Sequence, residues 1–371
     1  MKFVIEKKTI FRSLTHLQSI VDRKNVLPIL SNILIEAKNN ELTMSSTDMD
    51  ISIKENINCE VIEEGATTIN AQLIYDIIKK LHDQSKIEII SNDGKILTLR
   101  SGVSKFSLAC LPKEDFPLIE SKIEGNKLTT KAENIFNLID KTKFAISNEE
   151  TRYFLNGLYF SINNENDKSM LTFVGTDGHR LAKLSIPNST KIDDINGVII
   201  PKKTINELYK LLSENSDDIQ IEINSNKIIF YIGKLILISK LIDGTFPDYK
   251  RVIPKNNNEN LLVNRLNLLS AVDRVSTIVN EKSPVIKFKP FKNLVNLSTS
   301  NKDNSSATED IEADFEGKEI EIGFNAKYIM DMLENLKENE IQLSFMDNSS
   351  PIIAKEKTNP DLIYVLMPMR V

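Results

Sequence analysis

Apolar and polar positions recur in one order along this chain. From Ala71 to Leu81 the apolar residues return every three or four positions, which is the period of an amphipathic helix. Three short runs of strand-like character follow, at Lys86–Ile90, Ile96–Arg100 and Lys105–Cys110. The turn Asn92-Asp93-Gly94 favours a hairpin between the first two runs. The pattern therefore predicts one helix followed by three antiparallel strands.

The same order of elements is found twice more, so the chain is built from internal repeats. The second copy has a predicted helix over Lys202–Leu212 and strands at Ile219–Ile223, Lys227–Ile232 and Lys234–Lys240. The third copy starts near Gly323 and ends with the chain. Phe-Pro or Met-Pro closes each copy, at Phe116-Pro117, Phe246-Pro247 and Met367-Pro368.

A first half precedes each of these copies. The strands Lys2–Glu6, Lys127–Thr130 and Asn260–Val263 each lead into an amphipathic helix and then into a pair of strands. Each domain thus consists of two strand-helix-hairpin halves. This predicts an α+β fold with six helices and three repeated domains, over residues 1–125, 126–252 and 253–371. A polar loop is predicted over Asn301–Thr308, and Pro351 is expected to weaken the strand that follows it.

Composition narrows the class of protein. The chain of 371 residues is 41% hydrophobic and 27% charged, as in globular proteins, and is long enough for more than one domain. It contains no apolar run of ~18 residues and no signal-peptide core at its N-terminus. Two cysteines, Cys59 and Cys110, are too few for a disulfide framework. We therefore expect a cytoplasmic protein, without a metal or another cofactor.

Chemically active residues concentrate in Val174–Ala182, where Thr176, Asp177, His179 and Arg180 lie around Gly178. One hypothesis is catalytic, with the imidazole as general base and the carboxylate orienting it. Asp177 and His179 are two residues apart, however, and would point to opposite sides of a continuing strand. A second hypothesis is a loop that only satisfies its own hydrogen bonds. A third is a pocket for a partner peptide.

Charge bears on the choice of ligand. The net charge of −5 disfavours a protein that grips nucleic acid by bulk charge, although 47 basic residues could be gathered on one face. Many of the cations lie on the predicted outward faces of the helices. A solvated surface is the simpler interpretation of any one of these residues.

Several motifs taken together resemble a known family. They are Thr176-Asp177-Gly178-His179-Arg180-Leu181, Phe246-Pro247-Asp248-Tyr249-Lys250-Arg251-Val252, Arg152-Tyr153-Phe154-Leu155-Asn156-Gly157 and the terminal Met367-Pro368-Met369-Arg370. With the triplicated unit, they resemble the β sliding clamps, the beta subunits of bacterial DNA polymerase III. The resemblance covers essentially the whole chain. It implies a non-catalytic head-to-tail homodimer that closes into a six-domain ring, with helices inside and sheets outside.

The resemblance also implies sites on this chain. It implies a hydrophobic pocket for short peptides of DNA polymerase III, the clamp loader, other polymerases and repair proteins, formed by Leu155, Thr176, Gly178, His179, Arg180, Leu181, Pro247, Arg251, Val252, Tyr328, Val365, Met367, Pro368, Met369 and Arg370. For the ring lining on double-stranded DNA we expect Arg23, Lys24, Lys79, Lys80, Lys141, Lys143, Arg152, Tyr153, Lys202 and Lys203. Phe106 is expected near the subunit joint.

A ring held on duplex by its topology needs only weak phosphate contacts, which agrees with an acidic net charge. The alternative is a monomeric repeat scaffold that binds peptides and never encircles DNA. The two differ in oligomeric state, because three domains alone cannot close a six-domain ring.

Overall fold

The structure is a computed structural model and describes residues 1–21, 26–117, 119–165, 168–188, 195–279, 284–301 and 305–370. Its six α-helices are α1 Lys7–Ile20, α2 Ala71–Lys80, α3 Ala132–Thr142, α4 Lys202–Ser213, α5 Arg265–Ser276 and α6 Ala326–Asn335. No helix among these residues is both long and apolar enough to cross a membrane.

The strands are grouped by the predicted domain in which they lie. The first set is β1 Lys2–Glu6, β2 Asn32–Lys38, β3 Glu41–Thr47, β4 Ile51–Asn58, β5 Glu60–Glu63, β6 Gly65–Asn70, β7 Lys86–Ile90, β8 Ile96–Ser101 and β9 Ser104–Ala109. The second is β10 Asn126–Lys131, β11 Gly157–Glu165, β12 Lys168–Thr176, β13 Arg180–Asn188, β14 Ile195–Pro201, β15 Asp218–Ile223, β16 Lys227–Ile232 and β17 Leu235–Lys240. The third is β18 Glu259–Asn264, β19 Val285–Phe291, β20 Leu294–Ser300, β21 Ser306–Phe315, β22 Ile322–Asn325, β23 Glu340–Phe345, β24 Ile352–Lys355 and β25 Ile363–Leu366.

Local sequence explains where several helices begin. An asparagine precedes α2, α5 and α6, and its side-chain oxygen accepts a hydrogen bond from a main-chain N–H of the first turn: Asn70 from Leu73, Asn264 from Asn267, and Asn325 from Lys327 and Tyr328. Such caps satisfy donors that have no partner within the helix, and each contributes about 1 kcal/mol. The helices then bury an apolar stripe, as Ile10, Leu14 and Leu17 do on α1.

The chain forms two compact units. The first unit consists of Met1–Ile135 and Lys203–Leu241. It contains a five-stranded sheet in the order β5-β1-β7-β8-β9 and an eight-stranded sheet in the order β10-β15-β16-β17-β4-β3-β2-β6. The eight-stranded sheet is continuous because β17 pairs antiparallel with β4, with Leu237 opposite Ile53. Strands of two repeats are thus hydrogen-bonded into one sheet.

The second unit consists of Phe136–Lys202 and Ile242–Val371. Its twelve strands run in the order β14-β11-β12-β13-β25-β24-β23-β18-β21-β20-β19-β22. Here β13 pairs antiparallel with β25, with Ala182 opposite Tyr364. This pairing repeats the one between β4 and β17, because both join the last strand of a first half to the last strand of a following second half.

The repeat leaves one strand of each kind incompletely paired among the described residues. β9 pairs only with β8, and Ser306–Glu312 of β21 pair only with β20, whereas Ala313–Phe315 pair with β18. β9 corresponds to β17 and β25, and it is the outer strand of the five-stranded sheet. β21 corresponds to β4 and β13. Hydrogen-bond registers place Phe106 at the position of Leu237 and Tyr364, and Ala307 at the position of Ile53 and Ala182. At the two existing pairings, the equivalent residues Leu237, Ile53, Tyr364 and Ala182 are at most 1% exposed. Phe106 and Ala307 are half-buried.

Two predictions of local structure were wrong. The strand pair expected after the first helix is a set of three, because β4 follows β3 after the short turn at Asp48–Asp50. The polar loop expected over Asn301–Thr308 is shorter, since β21 already begins at Ser306. Polar residues can continue a strand when hydrogen bonds to a neighbour hold it, and β21 pairs with β20 over Ser306–Glu312 and with β18 over Ala313–Phe315. After Pro351, β24 has only four residues.

A buried histidine lies beside the β4–β17 pairing. Nδ1 of His16 on α1 is 3.1 Å from Oε2 of Glu55 on β4, and Nε2 is 3.5 Å from Oε2 of Glu214. Arg12 donates from Nε to the same Glu214 oxygen at 3.2 Å. Burial alone lowers the pKa of His16, but the two carboxylates outweigh it and the pKa is raised.

A pKa raised in the folded protein means that protonated His16 stabilises the fold. This stabilisation is fully present below the unfolded pKa of about 6.5 and is lost as pH rises through the folded pKa. We expect His16→Gln to lower Tm more at about pH 6 than at about pH 8.5, measured by calorimetry. The exposed His82→Gln is the control and should shift Tm equally at both pH values. A pH-independent effect of His16→Gln would contradict this account.

Candidate functional site

The turn between β12 and β13 holds the chemically active residues. The Thr176 hydroxyl donates to the Arg180 carbonyl at 2.6 Å and accepts from the Gly178 N–H at 3.1 Å. Oδ1 of Asp177 accepts from the N–H groups of His179 and Arg180 at 2.9 and 3.0 Å. This is the side-chain-to-backbone pattern that stabilises tight turns. The residues Thr176–Arg180 therefore define the turn.

Glycine is required within this turn. Gly178 has φ of +89°, a conformation that side-chain-bearing residues rarely adopt. A Cβ added there would also lie 2.4 Å from Nη1 of Arg152. Arg152 is fixed by Glu149, whose two carboxylate oxygens are 2.8 and 2.7 Å from Nε and Nη2. The turn can thus approach Arg152 closely only because residue 178 has no side chain.

The catalytic hypothesis does not agree with this geometry. Asp177 uses its carboxylate to hold the turn and Arg180, with Oδ2 3.0 Å from the Arg180 Nε, rather than to orient the imidazole. The His179 ring is exposed and lies against Tyr328, with 6.4 Å between ring centroids and 23° between planes. Within the described residues, no three His, Cys, Asp or Glu side chains are placed to hold a metal ion.

The Arg180 guanidinium links several elements from a buried position. Nη1 is 2.5 Å from Oδ2 of Asp331 on α6, and Nη2 donates to the Phe144 carbonyl at 2.8 Å. The Arg180 Cζ atom also lies 4.4 Å from the Tyr328 ring centroid and 5.3 Å from that of Phe144. Arginine suits this position because its planar group donates in several directions and stacks on rings. Arg180 therefore holds Tyr328 and the turn in place, and its expected contact with a peptide stays a prediction.

Apolar side chains form a continuous floor beside the turn. Leu155, Val174, Leu181 and Val365 are buried in a cluster that also contains Ile199, Phe246 and Tyr249. Phe246 stacks on Tyr159 at 4.9 Å between centroids. The segment after Ile242 thus lies across one face of the sheet, and three of the expected pocket residues belong to this floor.

Main-chain hydrogen bonds hold the C-terminal segment in place. The Met367 N–H donates to the His179 carbonyl at 2.9 Å, and the Met369 N–H donates to the Gly323 carbonyl at 2.8 Å. Pro368 and Met369 are half-buried, and Arg370 is exposed. The segment continues from β25 and lies next to the turn because β25 is paired with β13.

The rim of this site is exposed and partly apolar. Met367 and Val252 remain 39% and 43% exposed, although both adjoin buried residues. Pro247 and Arg251 are exposed, and Nε of Arg251 is 2.9 Å from Oδ2 of Asp248. A set of exposed apolar side chains around a buried floor is typical of a surface that binds a partner.

A polar cavity of about 570 Å³ lies on the other side of the turn. His179, Arg180 and Tyr328 line it together with residues that the sequence analysis did not assign, among them Glu149, Pro284 and Asn325. Burial raises the pKa of Tyr328, and the Asp177 carboxylate raises it further. The described site therefore has an apolar floor and a polar cavity, with the turn between them.

Several contributors to the site were missed. Phe246 and Tyr249 complete the floor, and Asp331 and Phe144 hold Arg180. Phe246-Pro247 was recognised as a repeat of Phe116-Pro117, but its burial depends on the sheet face that it covers. Nothing in the local sequence indicates that Asp331, 151 residues from Arg180, is its partner.

The residues expected to contact DNA fall into different environments. Lys79 and Lys80 are exposed at the end of α2, and Tyr153 is 53% exposed. Lys202 donates to Asn148 at 2.6 Å, Lys203 forms an ion pair with Asp48, and Arg152 is engaged with Glu149. Lys143 is half-buried. Arg23 and Lys24 lie outside the described residues.

Lys141 was wrongly expected to be a DNA contact. It is 3% exposed, and its ammonium group donates to the Asn335 carbonyl. The hydroxyl of Tyr364 donates to the Lys141 carbonyl at 2.9 Å, so the whole residue is enclosed. Burial lowers the pKa of Lys141. A helix position that looked outward by its period is covered here because Lys141, at the end of α3, contacts Tyr364 of β25 and Asn335 of α6.

The comparisons with known proteins agree with this architecture. Three family models match successive parts of the chain: the DNA polymerase III beta subunit N-terminal domain at residues 1–120, its central domain at 129–248 and its C-terminal domain at 250–370. The beta sliding clamp of Caulobacter vibrioides (strain NA1000 / CB15N) is 39% identical over 372 residues, with all of both chains covered. That of Escherichia coli (strain K12) is 32% identical over 371 residues, again with all of both covered.

Solved structures give the same result. A DnaN sliding clamp from Bartonella birtlesii bound to griselimycin has a TM-score of 0.96 and 40% identity, with 100% of both chains covered. One from Pseudomonas aeruginosa, also bound to griselimycin, has a TM-score of 0.95 and 31% identity, with the same coverage. The family resemblance and the three-domain α+β fold are confirmed. This chain belongs to the family of DNA polymerase III beta subunits, the beta sliding clamps, which are non-catalytic sliding clamps on DNA.

Proposed function

We propose that two copies of this chain close head to tail into a six-domain ring around duplex DNA and act in the cytoplasm. The ring tethers DNA polymerase III and other partners, including the clamp loader, other polymerases and repair proteins, by a short peptide that each carries. The observation that carries this proposal is a pair of strand edges with no partner among the described residues. They are β9 and the stretch Ser306–Glu312 of β21, in a chain that twice joins the corresponding edges.

We call the pairings β4–β17 and β13–β25 the two internal joints. They define the register expected of a third joint, between β9 of one copy and β21 of another. If β9 pairs with β21 of a second copy as β17 pairs with β4, Phe106 lies opposite Ala307, Lys105 opposite Thr308 and Ser104 opposite Glu309. The counterparts of Phe106 and Ala307 are buried at both internal joints. Closing the third joint would remove these half-buried apolar groups from water, which favours association.

Burial at the end of the first helix of each domain supports the same joint. The apolar stripe of α1 ends at Ile20, and the stripe of α3 ends at Ala145, just after the helix. Both residues are fully buried. The corresponding residue after α5, Ile278, is only half-buried. The first two residues lie in domains whose outer strand is paired, whereas Ile278 lies in the domain of β21. A second copy that reaches β21 would cover Ile278 as well.

Charges at the two edges are complementary. β21 carries four acids, Glu309, Asp310, Glu312 and Asp314, of which the first three lie on the stretch that does not pair with β18. Lys105 on β9 and Arg100, which is opposite it on β8, are exposed. Opposite charges across an interface speed association and select the head-to-tail arrangement over the pairing of like edges. A head-to-tail contact that closes after two subunits gives a ring.

A closed ring explains how an acidic protein can stay on DNA. Topology retains the ring, so the lining needs only scattered cations, and strong phosphate contacts would oppose sliding. We assign the exposed Lys79 and Lys80 to this lining, with Arg23 and Lys24 by family resemblance. The remaining candidates for the lining are Lys143, Arg152, Tyr153, Lys202 and Lys203. Lys141 is not a candidate because it is buried.

The apolar floor with its exposed rim fits a short peptide with Leu or Phe anchors. Methionine and proline at the rim give an adaptable apolar surface, which suits partners that bind in turn. Each buried anchor contributes roughly 1.5–3 kcal/mol before ordering costs, so two or three anchors give about micromolar affinity.

Removal of rim contacts should weaken peptide capture. We expect Met367→Ala to raise the Kd of a fluorescent peptide with Leu and Phe anchors about tenfold, and Val252→Asp with Met367→Ala to abolish binding, measured by fluorescence anisotropy. Met346→Ala is the matched control, because Met346 is also exposed, at 47%, and lies outside the site. Equal losses in Met346→Ala and Met367→Ala would show that the floor is not the binding site.

A charge at the centre of the third joint should prevent dimerisation. We expect wild-type protein to be a dimer and Phe106→Asp to be a monomer by light scattering at micromolar concentration, because a buried unpaired carboxylate is costly. Ile62→Asp is the control, since Ile62 is 51% exposed on β5 at the opposite edge of the same sheet. If wild-type protein is monomeric, the monomeric scaffold becomes the better account.

A further inference from the structure

We propose that a second cavity on the second unit binds an acidic segment of the partner polypeptide, next to the apolar anchors in its clamp-binding peptide. This cavity has a volume of about 260 Å³ and is lined by Lys183, Lys250 and Lys255, with Asp361 as its acidic residue. The inference rests on the proposed peptide capture and adds the chemistry of the flanking sequence.

Strand geometry places this cavity on the same sheet face as the apolar floor. Thr172 on β12 is opposite Ser185 on β13, and their hydroxyls are 2.8 Å apart. Val174 is two residues from Thr172, and Leu181 and Ser185 are each two residues from Lys183. Alternate residues of a strand share a face, so the floor residues Val174 and Leu181 lie beside Thr172 and Lys183.

The chain segment that covers the floor also forms the cavity wall. Tyr249 belongs to the apolar cluster and lines the cavity, and Ile253 packs against the cluster and lines the cavity as well. Beyond them Lys250 and Lys255 are exposed. The floor and the cavity thus share Tyr249 and Ile253, so a peptide anchored at the rim beside Val252 would reach the cavity along residues 249–255.

The lining favours an acidic peptide over an apolar one. The lining contains three lysines and one carboxylate, and the exposed Lys250 and Lys255 attract negative charge to the cavity. Thr172 and Ser185 are 3% and 7% exposed and have already bonded to each other, and Asn163 adds a side-chain amide. The Asn163 amide can bond peptide main chain, while the lysines select Asp or Glu side chains. Partners with acids beside their anchors would thus bind longer than partners without them.

The test compares peptides that differ only in their flanks. One fluorescent peptide contains the Leu and Phe anchors alone. Others add four Glu residues, or four Ser residues, at either end. We expect the Glu extension at one end to lower Kd about fivefold relative to the Ser extension at low salt, and the gain to disappear in high salt. Lys250→Glu with Lys255→Glu should remove the gain and leave the affinity of the unextended peptide unchanged.

Lys292→Glu with Lys318→Glu is the matched control, because it changes net charge equally at two exposed lysines outside the cavity. Loss of the gain in this control would assign the attraction to net charge and overturn the proposal, as would a gain that persists in Lys250→Glu with Lys255→Glu. A single-stranded oligonucleotide that binds wild type in place of the Glu extension would assign the lysines to nucleic acid and also overturn it. Failure of the unextended peptide to bind would instead refute the peptide capture on which it rests.

Discussion

The architecture depends on antiparallel pairing between the outer strand of one repeat and the outer strand of another. An unpaired strand edge exposes main-chain donors and acceptors, so it either pairs or must be protected. This chain pairs β4 with β17 and β13 with β25, and each pairing buries an apolar pair opposite each other at its centre. β9 and β21 carry the same positions with half-buried residues. In the proposed ring, closure between two copies uses this one interaction a third time.

The same pairing explains where the peptide site forms. Because β25 lies beside β13, the residues after Leu366 reach the β12–β13 turn, and the Met367 N–H bonds to His179. Arg180, at the start of β13, then reaches Asp331 on α6. The site is therefore supported by strands and a helix, and its exposed rim includes Met367 and Val252. A buried floor with an exposed apolar rim fits the proposed capture of successive partners.

Much of the fold could be predicted from the sequence, because helix and strand periods recur in three copies and errors in one copy are corrected by another. Three residues of the floor, Leu155, Leu181 and Val365, were implied by the family resemblance rather than by these periods. Long-range polar contacts could not be predicted from the sequence. The Arg180–Asp331 pair and the burial of Lys141 depend on which helix packs beside the β13–β25 pairing, and no local pattern encodes that choice. The lysine-lined cavity required the path of residues 249–255 across the sheet face.

Covalent closure of the third joint tests the account most directly. Phe106→Cys with Ala307→Cys, in a chain in which Cys59 and Cys110 are replaced by serine, should form disulfides between subunits, because directly opposite Cβ atoms lie about 5 Å apart. After loading onto nicked circular duplex by a clamp loader and oxidation, we expect the dimer to remain on the circle in detergent. It should be released when the DNA is cut or the disulfides are reduced. Oxidised, covalently closed dimer that detergent strips from intact circles would contradict encirclement.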